Sequence, residues 1–153
     1  MYEHIEFKNA INMRKANYDK FPSTKLTGML VQGWDSIISM LKKKMDARKV
    51  LAVDLYTGVY EEEVLDAFSK EFSGRVMNVR DLMKPEKEIQ TLTERFMTED
   101  VLFGYVTNLK LEDYLDADKV AAARKQISEA KETIVIIGTG AAVVAPQDAM
   151  VVY

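Results

Sequence analysis

Cysteine is absent from this sequence, and histidine occurs once, as His4. Without cysteine there is no disulfide, no thiolate metal site and no cysteine nucleophile, a pattern that suits a reducing compartment. A single histidine cannot build a multi-histidine zinc centre. No nucleophile-elbow sequence accompanies it, so a Ser-His-Asp site has no frame either. No apolar run approaches the roughly 18–20 residues needed to span a bilayer. The first ten residues, MYEHIEFKNA, lack the basic region and apolar core of a signal peptide. An excess of positive charge is missing too: the formal net charge is −3, so no global basic field draws the chain to nucleic acid or membrane. The expectation is a cytoplasmic protein with neither partner.

What is present is an α/β pattern. The 153 residues suit one domain, with 48% hydrophobic residues to build its core. Residues 1–32 read as an irregular or helical N-terminal extension. Within it, Asn9–Tyr18 is a candidate short helix ended by FPST, and LTGMLV at Leu26–Val31 a candidate edge strand. From Trp34 to Met45 the apolar residues Trp34, Ile37, Ile38, Leu41 and Met45 recur at helical spacing, and Lys42–Lys44 close the last turn where cations suit the helix dipole. KVLAVDLY, Lys49–Tyr56, is a near-continuous apolar run, the mark of a strand buried on both faces in a parallel sheet. Thr57-Gly58 breaks it, and Val64, Leu65, Phe68 and Phe72 form the apolar face of a following helix with Glu61–Glu63 in its first turn. RVMNV is a second strand. A helix is expected from Pro85 to about Met97, followed by helical segments over Leu111–Tyr114 and Ala117–Lys131. ETIVIIG is a third strand, GTGAA a turn, and Met150–Tyr153 a fourth strand.

Strands alternating with helices predict a mostly parallel, Rossmann-like sheet over residues 33–153, flanked by helices in three layers, with Val50–Tyr56 and Ile134–Gly138 central. MVVY at the end reads as a strand with nothing to cover it, which suggests a piece of a longer protein, although a short final strand at a sheet edge would look the same.

Chemistry is sparse. At the strand–turn–helix of Val50–Phe72 a helix N-terminus is the natural seat for phosphate. A phosphate loop would place several glycines there and a lysine with Ser or Thr at the helix start; this segment reads DLYTGVYEEEVL. Each glutamate would repel a phosphate about 6 Å away by ~2–3 kcal/mol at an effective dielectric near 20. A solvated charged first turn is the plainer reading. GTGAAV at Gly138–Val143 resembles the start of a dinucleotide fingerprint, but Val143 replaces its last glycine and Pro146 interrupts any long helix. Gly138 and Gly140 equally suit a tight turn. Because ligands in open α/β sheets bind beyond the carboxyl ends of strands, Thr57, Gly58, Gly138 and Gly140 are candidates to border one crevice. Asp81, at the end of the second strand, could point a carboxylate into it or serve as a turn residue. Asp54, inside a strand, should sit near the strand end, paired or capping, because an isolated buried charge is costly. Lys42–Lys44 with Arg48 and Lys49 form a candidate anion patch or a solvated helix end. No catalytic group and no metal site emerges.

The order of these elements resembles a uridine-kinase-like (P-loop-kinase-like) protein. KVLAVDLYTGVYEEEVLDAF stands where such a protein has its first strand, phosphate loop and first helix; RVMNVRDLM is similar to the second strand and its acidic end; ETIVIIGTGAA with DAMVVY is similar to later strands. GWDSIISMLKKK, YTGV, the EDVLFG of Glu99–Gly104 and GTGAAVVAPQDAMVVY resemble the N-terminal region of long bacterial class I mannose-6-phosphate isomerases, in which a degenerate kinase-like domain precedes a zinc-dependent cupin isomerase. The resemblance covers Gly33–Tyr153. It implies a P-loop-kinase-like fold and an accessory, non-catalytic role in sugar-phosphate metabolism. It also implies a downstream catalytic domain carrying the zinc, a phosphorylated small ligand, and Thr57, Gly58, Asp81 and Gly138 as the site positions carried over. The alternatives are an active small-molecule kinase with an atypical phosphate loop, and a structural or dimerising module without ligand. A homo-oligomer fits any of the three.

Overall fold

The computed structural model describes residues 21–23, 27–28 and 30–153. The chain divides into two units, Met1–Leu30 and Val31–Tyr153. The expected helix at Asn9–Tyr18 lies outside the described residues. Of the expected edge strand Leu26–Val31, the described residues Thr27, Gly28, Leu30 and Val31 belong to no strand; Gly28 interrupts this stretch, and Leu30 stands exposed.

The second unit is a three-layer α/β fold. Its main elements are α1 (Trp34–Met45), β1 (Val50–Asp54), α2 (Glu61–Glu71), β2 (Arg75–Asn78), α3 (Glu86–Glu94), α4 (Ala117–Glu129), β3 (Ile134–Gly138), α5 (Ala141–Val144) and β4 (Met150–Val152). Two short 3-10 helices, Val79–Leu82 and Leu111–Tyr114, complete it. The four strands form one sheet in the order β2-β3-β1-β4. Every pairing is parallel, with Val50 opposite Ile134 and Asp54 opposite Gly138. β3 and β1 are central, as expected.

Strand periodicity explains why their sequences are apolar throughout. Successive side chains point to opposite faces, and both faces are covered. Val50, Ala52, Ile134 and Ile136 share one core with Val120, Ala123 and Ile127 of α4 and Ala141 and Val144 of α5. Leu51, Val53, Val135 and Ile137 share the other with Ile38, Leu41 and Met45 of α1 and Val64, Phe68 and Phe72 of α2. Phe68 is the anchor of the second face: its ring stacks on Phe72 at 5.7 Å and meets Trp34 edge-on at 6.4 Å. Burying a side chain of that size contributes on the order of 2–3 kcal/mol.

Two helices differ from the expectation. The helix after Pro85 closes at Glu94 rather than near Met97, because Phe96 N–H and Met97 N–H bond to Thr93 and Glu94 carbonyls in tight turns. The GTGAA segment does more than turn: Gly140 is the left-handed cap of the four-residue α5, which stops one residue before Ala145-Pro146. Pro146 cannot continue a helix.

Candidate functional site

The chain leaves β1 for α2, on one face of the sheet, and leaves β3 for α5, on the other. These strands are neighbours, so their carboxyl ends form a topological switch point, where open α/β sheets open a crevice.

The two exits are tied together. Leu55 N–H donates to the Gly138 carbonyl at 3.3 Å, and Thr139 Oγ1 donates to the Leu55 carbonyl at 3.0 Å. Asp54, the last residue of β1, accepts the Gly140 amide on Oδ1 at 2.9 Å and the Ala142 amide on Oδ2 at 3.0 Å. Both carboxylate oxygens are thus spent on the first turn of α5. This meets the expectation that Asp54 is paired or capping, and it also explains how a strand carboxylate is tolerated among apolar neighbours. Gly138 makes the close approach possible. Its φ is +133°, and a Cβ there would lie 2.9 Å from Val79 Cβ. Gly140, at φ +88°, turns the chain so that its amide faces Asp54.

The α2 start is likewise occupied by carboxylates. Trp34 Nε1 donates to Glu63 Oε1 at 3.1 Å. Glu61 Oε2 accepts from Arg80 NH2 at 3.3 Å, joining α2 to the 3-10 helix that leaves β2. Glu61 Oε1 is buried and has no hydrogen-bond partner among the described residues.

Glu61 and Arg80 border a cleft of about 310 Å³. Glu61, Arg80, Thr139 and Gly140 supply its polar wall, and Met83, Leu111, Tyr114 and Leu115 its apolar one. The apolar wall is held in place by main-chain contacts: Met83 forms an antiparallel bridge with Leu115, Lys84 N–H donates to the Tyr114 carbonyl at 3.0 Å, and Asp116 N–H donates to the Leu82 carbonyl at 2.9 Å.

The expected site residues distribute unevenly about this cleft. Gly140 lines it, and Gly138 lies buried beneath, against Val79. Thr57 and Gly58 form an exposed turn after β1 and are not among its lining residues. Asp81 does not end β2. That strand stops at Asn78, whose side chain accepts the Arg80 amide at 2.8 Å and starts the 3-10 helix. Asp81 is therefore exposed one turn later, in a separate groove with Asn78 and Lys119. Sequence reasoning missed Glu61 and Arg80 as a pair. They are 19 residues apart, and only the β1–α2–β2 crossover brings them together.

A wider hollow of about 1050 Å³ lies at the opposite, amino end of the sheet, between the α1–β1 loop, α4 and the α5–β4 loop. Arg48 and Lys49 of the candidate anion patch line it beside Lys44, with Asp46 and Asp148 among them. Arg124 there is engaged, donating to the Val143 carbonyl at 2.7 Å. Ligands of such sheets gather at the carboxyl ends instead, which makes the smaller cleft the stronger candidate.

A family model described as a domain of unknown function (DUF8485) matches residues 33–153. The chain belongs to the DUF8485 family. The match spans every element from α1 to β4, hence the whole switch-point cleft. No curated protein and no solved structure matches the chain. No group of three or more His, Cys, Asp or Glu among the described residues is placed to hold a metal ion, and no helix among them is long and apolar enough to cross a membrane.

Proposed function

We propose that the DUF8485 domain is a non-catalytic, small-ligand-binding accessory domain of kinase-like layout. In this reading it serves a protein of sugar-phosphate metabolism of the mannose-6-phosphate isomerase kind, whose zinc and isomerase chemistry reside in a separate domain. The observation that carries the non-catalytic part is the Asp54 carboxylate on the Gly140 and Ala142 amides. A phosphotransfer site needs free N–H groups and positive potential where the phosphates sit. Here one helix start at the switch point already holds an internal anion, and the other carries Glu61, Glu62 and Glu63. An incoming triphosphate meets carboxylates on both sides.

The sugar-phosphate context rests on the resemblance of GWDSIISMLKKK, YTGV, EDVLFG and GTGAAVVAPQDAMVVY to the isomerase N-terminal region. The ligand-binding part rests on the cleft, whose volume falls at the lower end of the roughly 300–1,000 Å³ range of small-molecule sites.

Calorimetric titration with magnesium and ATP tests the proposal. No binding tighter than about millimolar, or roughly −4 kcal/mol, is expected, and no phosphate transfer to a sugar or nucleoside acceptor. Micromolar affinity or turnover by this chain would refute the non-catalytic reading.

A further inference from the structure

One short loop holds its apolar side chains outside both cores. Between α3 and the second 3-10 helix, Val101, Leu102, Phe103, Tyr105 and Val106 are 69–100% exposed. The backbone beneath them is nonetheless fixed. Asp100 Oδ1 accepts the Leu102 and Phe103 amides at 2.8 and 3.2 Å, and the Tyr105 amide donates to the Phe96 carbonyl at 2.8 Å. Gly104 permits that approach, since a Cβ there would lie 2.5 Å from the Phe96 oxygen. The loop is thus shaped to present its apolar side chains, and a contiguous exposed set of this kind marks an interaction surface. Its charge has one sign: residues 97–108 include Glu99 and Asp100 and neither Lys nor Arg.

The wide hollow at the amino end of the sheet has the opposite character. Lys44, Arg48, Lys49 and Arg124 stand against Asp46 and Asp148, four cations to two carboxylates, for a net charge of +2. Ala145, Pro146 and Ala149 add apolar surface between them. Loop and hollow are apart within one chain. The excursion that carries the loop leaves and rejoins the fold at the Met83–Leu115 bridge, beside the carboxyl ends of the strands. The hollow lies at their amino ends.

We propose that the Val101–Val106 loop of one chain docks in the amino-end hollow of a second copy of this chain. Leu102 and Phe103 enter the hollow, and Glu99 meets Arg48 and Lys49 at its edge. The volume suits them: about 1050 Å³ stands at the top of the roughly 300–1,000 Å³ that holds a drug-sized ligand, which is room for two large side chains. The acidic pair beside the apolar tip also selects this occupant over a membrane, because an anionic lipid surface repels Glu99 and Asp100. Since the two surfaces differ, the contact is heterologous and joins copies head to tail. Its area, on the order of a few hundred Å² a side, places it among weak associations. The proposal is independent of the ligand reading above and survives or fails without it.

Sedimentation of the chain from about 10 µM to about 1 mM, the range of weak interfaces, tests this. The average mass should rise above 17.4 kDa with concentration, and less so in about 0.5 M salt. A loop variant, Leu102→Ser with Phe103→Ser, and a hollow variant, Arg48→Glu with Lys49→Glu, should each weaken self-association at least about tenfold. All four side chains are exposed, and unchanged circular dichroism shows that the variants fold. The deciding sample is their mixture. The loop variant keeps its hollow and the hollow variant keeps its loop, so together they should form a one-to-one pair and nothing larger. In the wild type, concentration should also shift the amides of Leu102, Phe103, Arg48 and Asp148 together. The proposal is overturned if the wild type stays monomeric at about 1 mM, if association survives in the loop variant, or if the mixture stays monomeric. Binding to phosphatidylcholine vesicles through the loop, in place of self-association, would overturn it in favour of a membrane.

Discussion

Asp54 and Gly140 stand 86 residues apart in the chain, and the carboxylate of one accepts the amide of the other at 2.9 Å. With the second oxygen on Ala142, this contact joins the exit of the central strand to the first turn of α5. Replacing Asp54 by Ala should leave two partly buried amides without an acceptor and lower stability by about 2–4 kcal/mol, given ~1–3 kcal/mol for each charged hydrogen bond. Asp54→Asn retains one acceptor oxygen and should lose roughly half as much. Urea unfolding of the three proteins checks the order, and equal losses in the two variants would contradict the bidentate role.

Gly138→Ala should destabilise by about 2–4 kcal/mol, because it adds left-handed backbone strain to a contact shorter than real Cβ atoms make. The contact partner is Val79, so the test is a double-mutant cycle. Combining Gly138→Ala with Val79→Ala should cost at least ~0.5 kcal/mol less than the sum of the single losses. Strict additivity would mean that backbone strain alone is responsible.

Phe68→Ala should cost about 3–5 kcal/mol, since that ring is 2% exposed between Trp34 and Phe72. Glu63→Ala removes only an exposed hydrogen bond to Trp34 and should change stability by less than about 0.5 kcal/mol. Trp34 is the single tryptophan, so its emission reports both variants: a large red shift for Phe68→Ala and a small one for Glu63→Ala. Comparable unfolding midpoints would refute the packing account of the α1–α2 face.

The residue inventory gives a metal prediction. With His4 the one histidine and no cysteine, the dialysed chain should retain no stoichiometric zinc and should not interconvert mannose 6-phosphate and fructose 6-phosphate. A coupled isomerase assay with added zinc, beside metal analysis, checks this. About one zinc per chain with chelator-sensitive turnover would place a catalytic site within these residues.

The layered fold was legible because β1 and β3 are apolar at every position but their last, which only a sheet covered on both faces requires. The role of Asp54 was half legible: a carboxylate in such a strand must be satisfied, but nothing local to it names Gly140 or Ala142 as partners. Asp81 was misplaced because Arg75–Asp81 has no break to show where the strand stops; the stop comes from the Asn78 side chain capping the next turn. Glu61 read as part of a solvated, charged first turn. What sets it apart is its ion pair with Arg80 and the burial of one of its oxygens, a property of the crossover and not of the local sequence.

The strand order also dictates when this domain can exist. β1 emerges early from the ribosome, yet both of its sheet partners, β3 and β4, are made last. Leu55 waits 84 residues for Thr139, which at 5–20 residues per second is roughly 4–17 s. During that interval Val50–Val53 and Phe68 have only α1 and α2 to cover them, and no β-strand beside them. The nascent β1 is therefore exposed to mispairing throughout that interval, and chaperone dependence should fall on the stretch between β1 and β3.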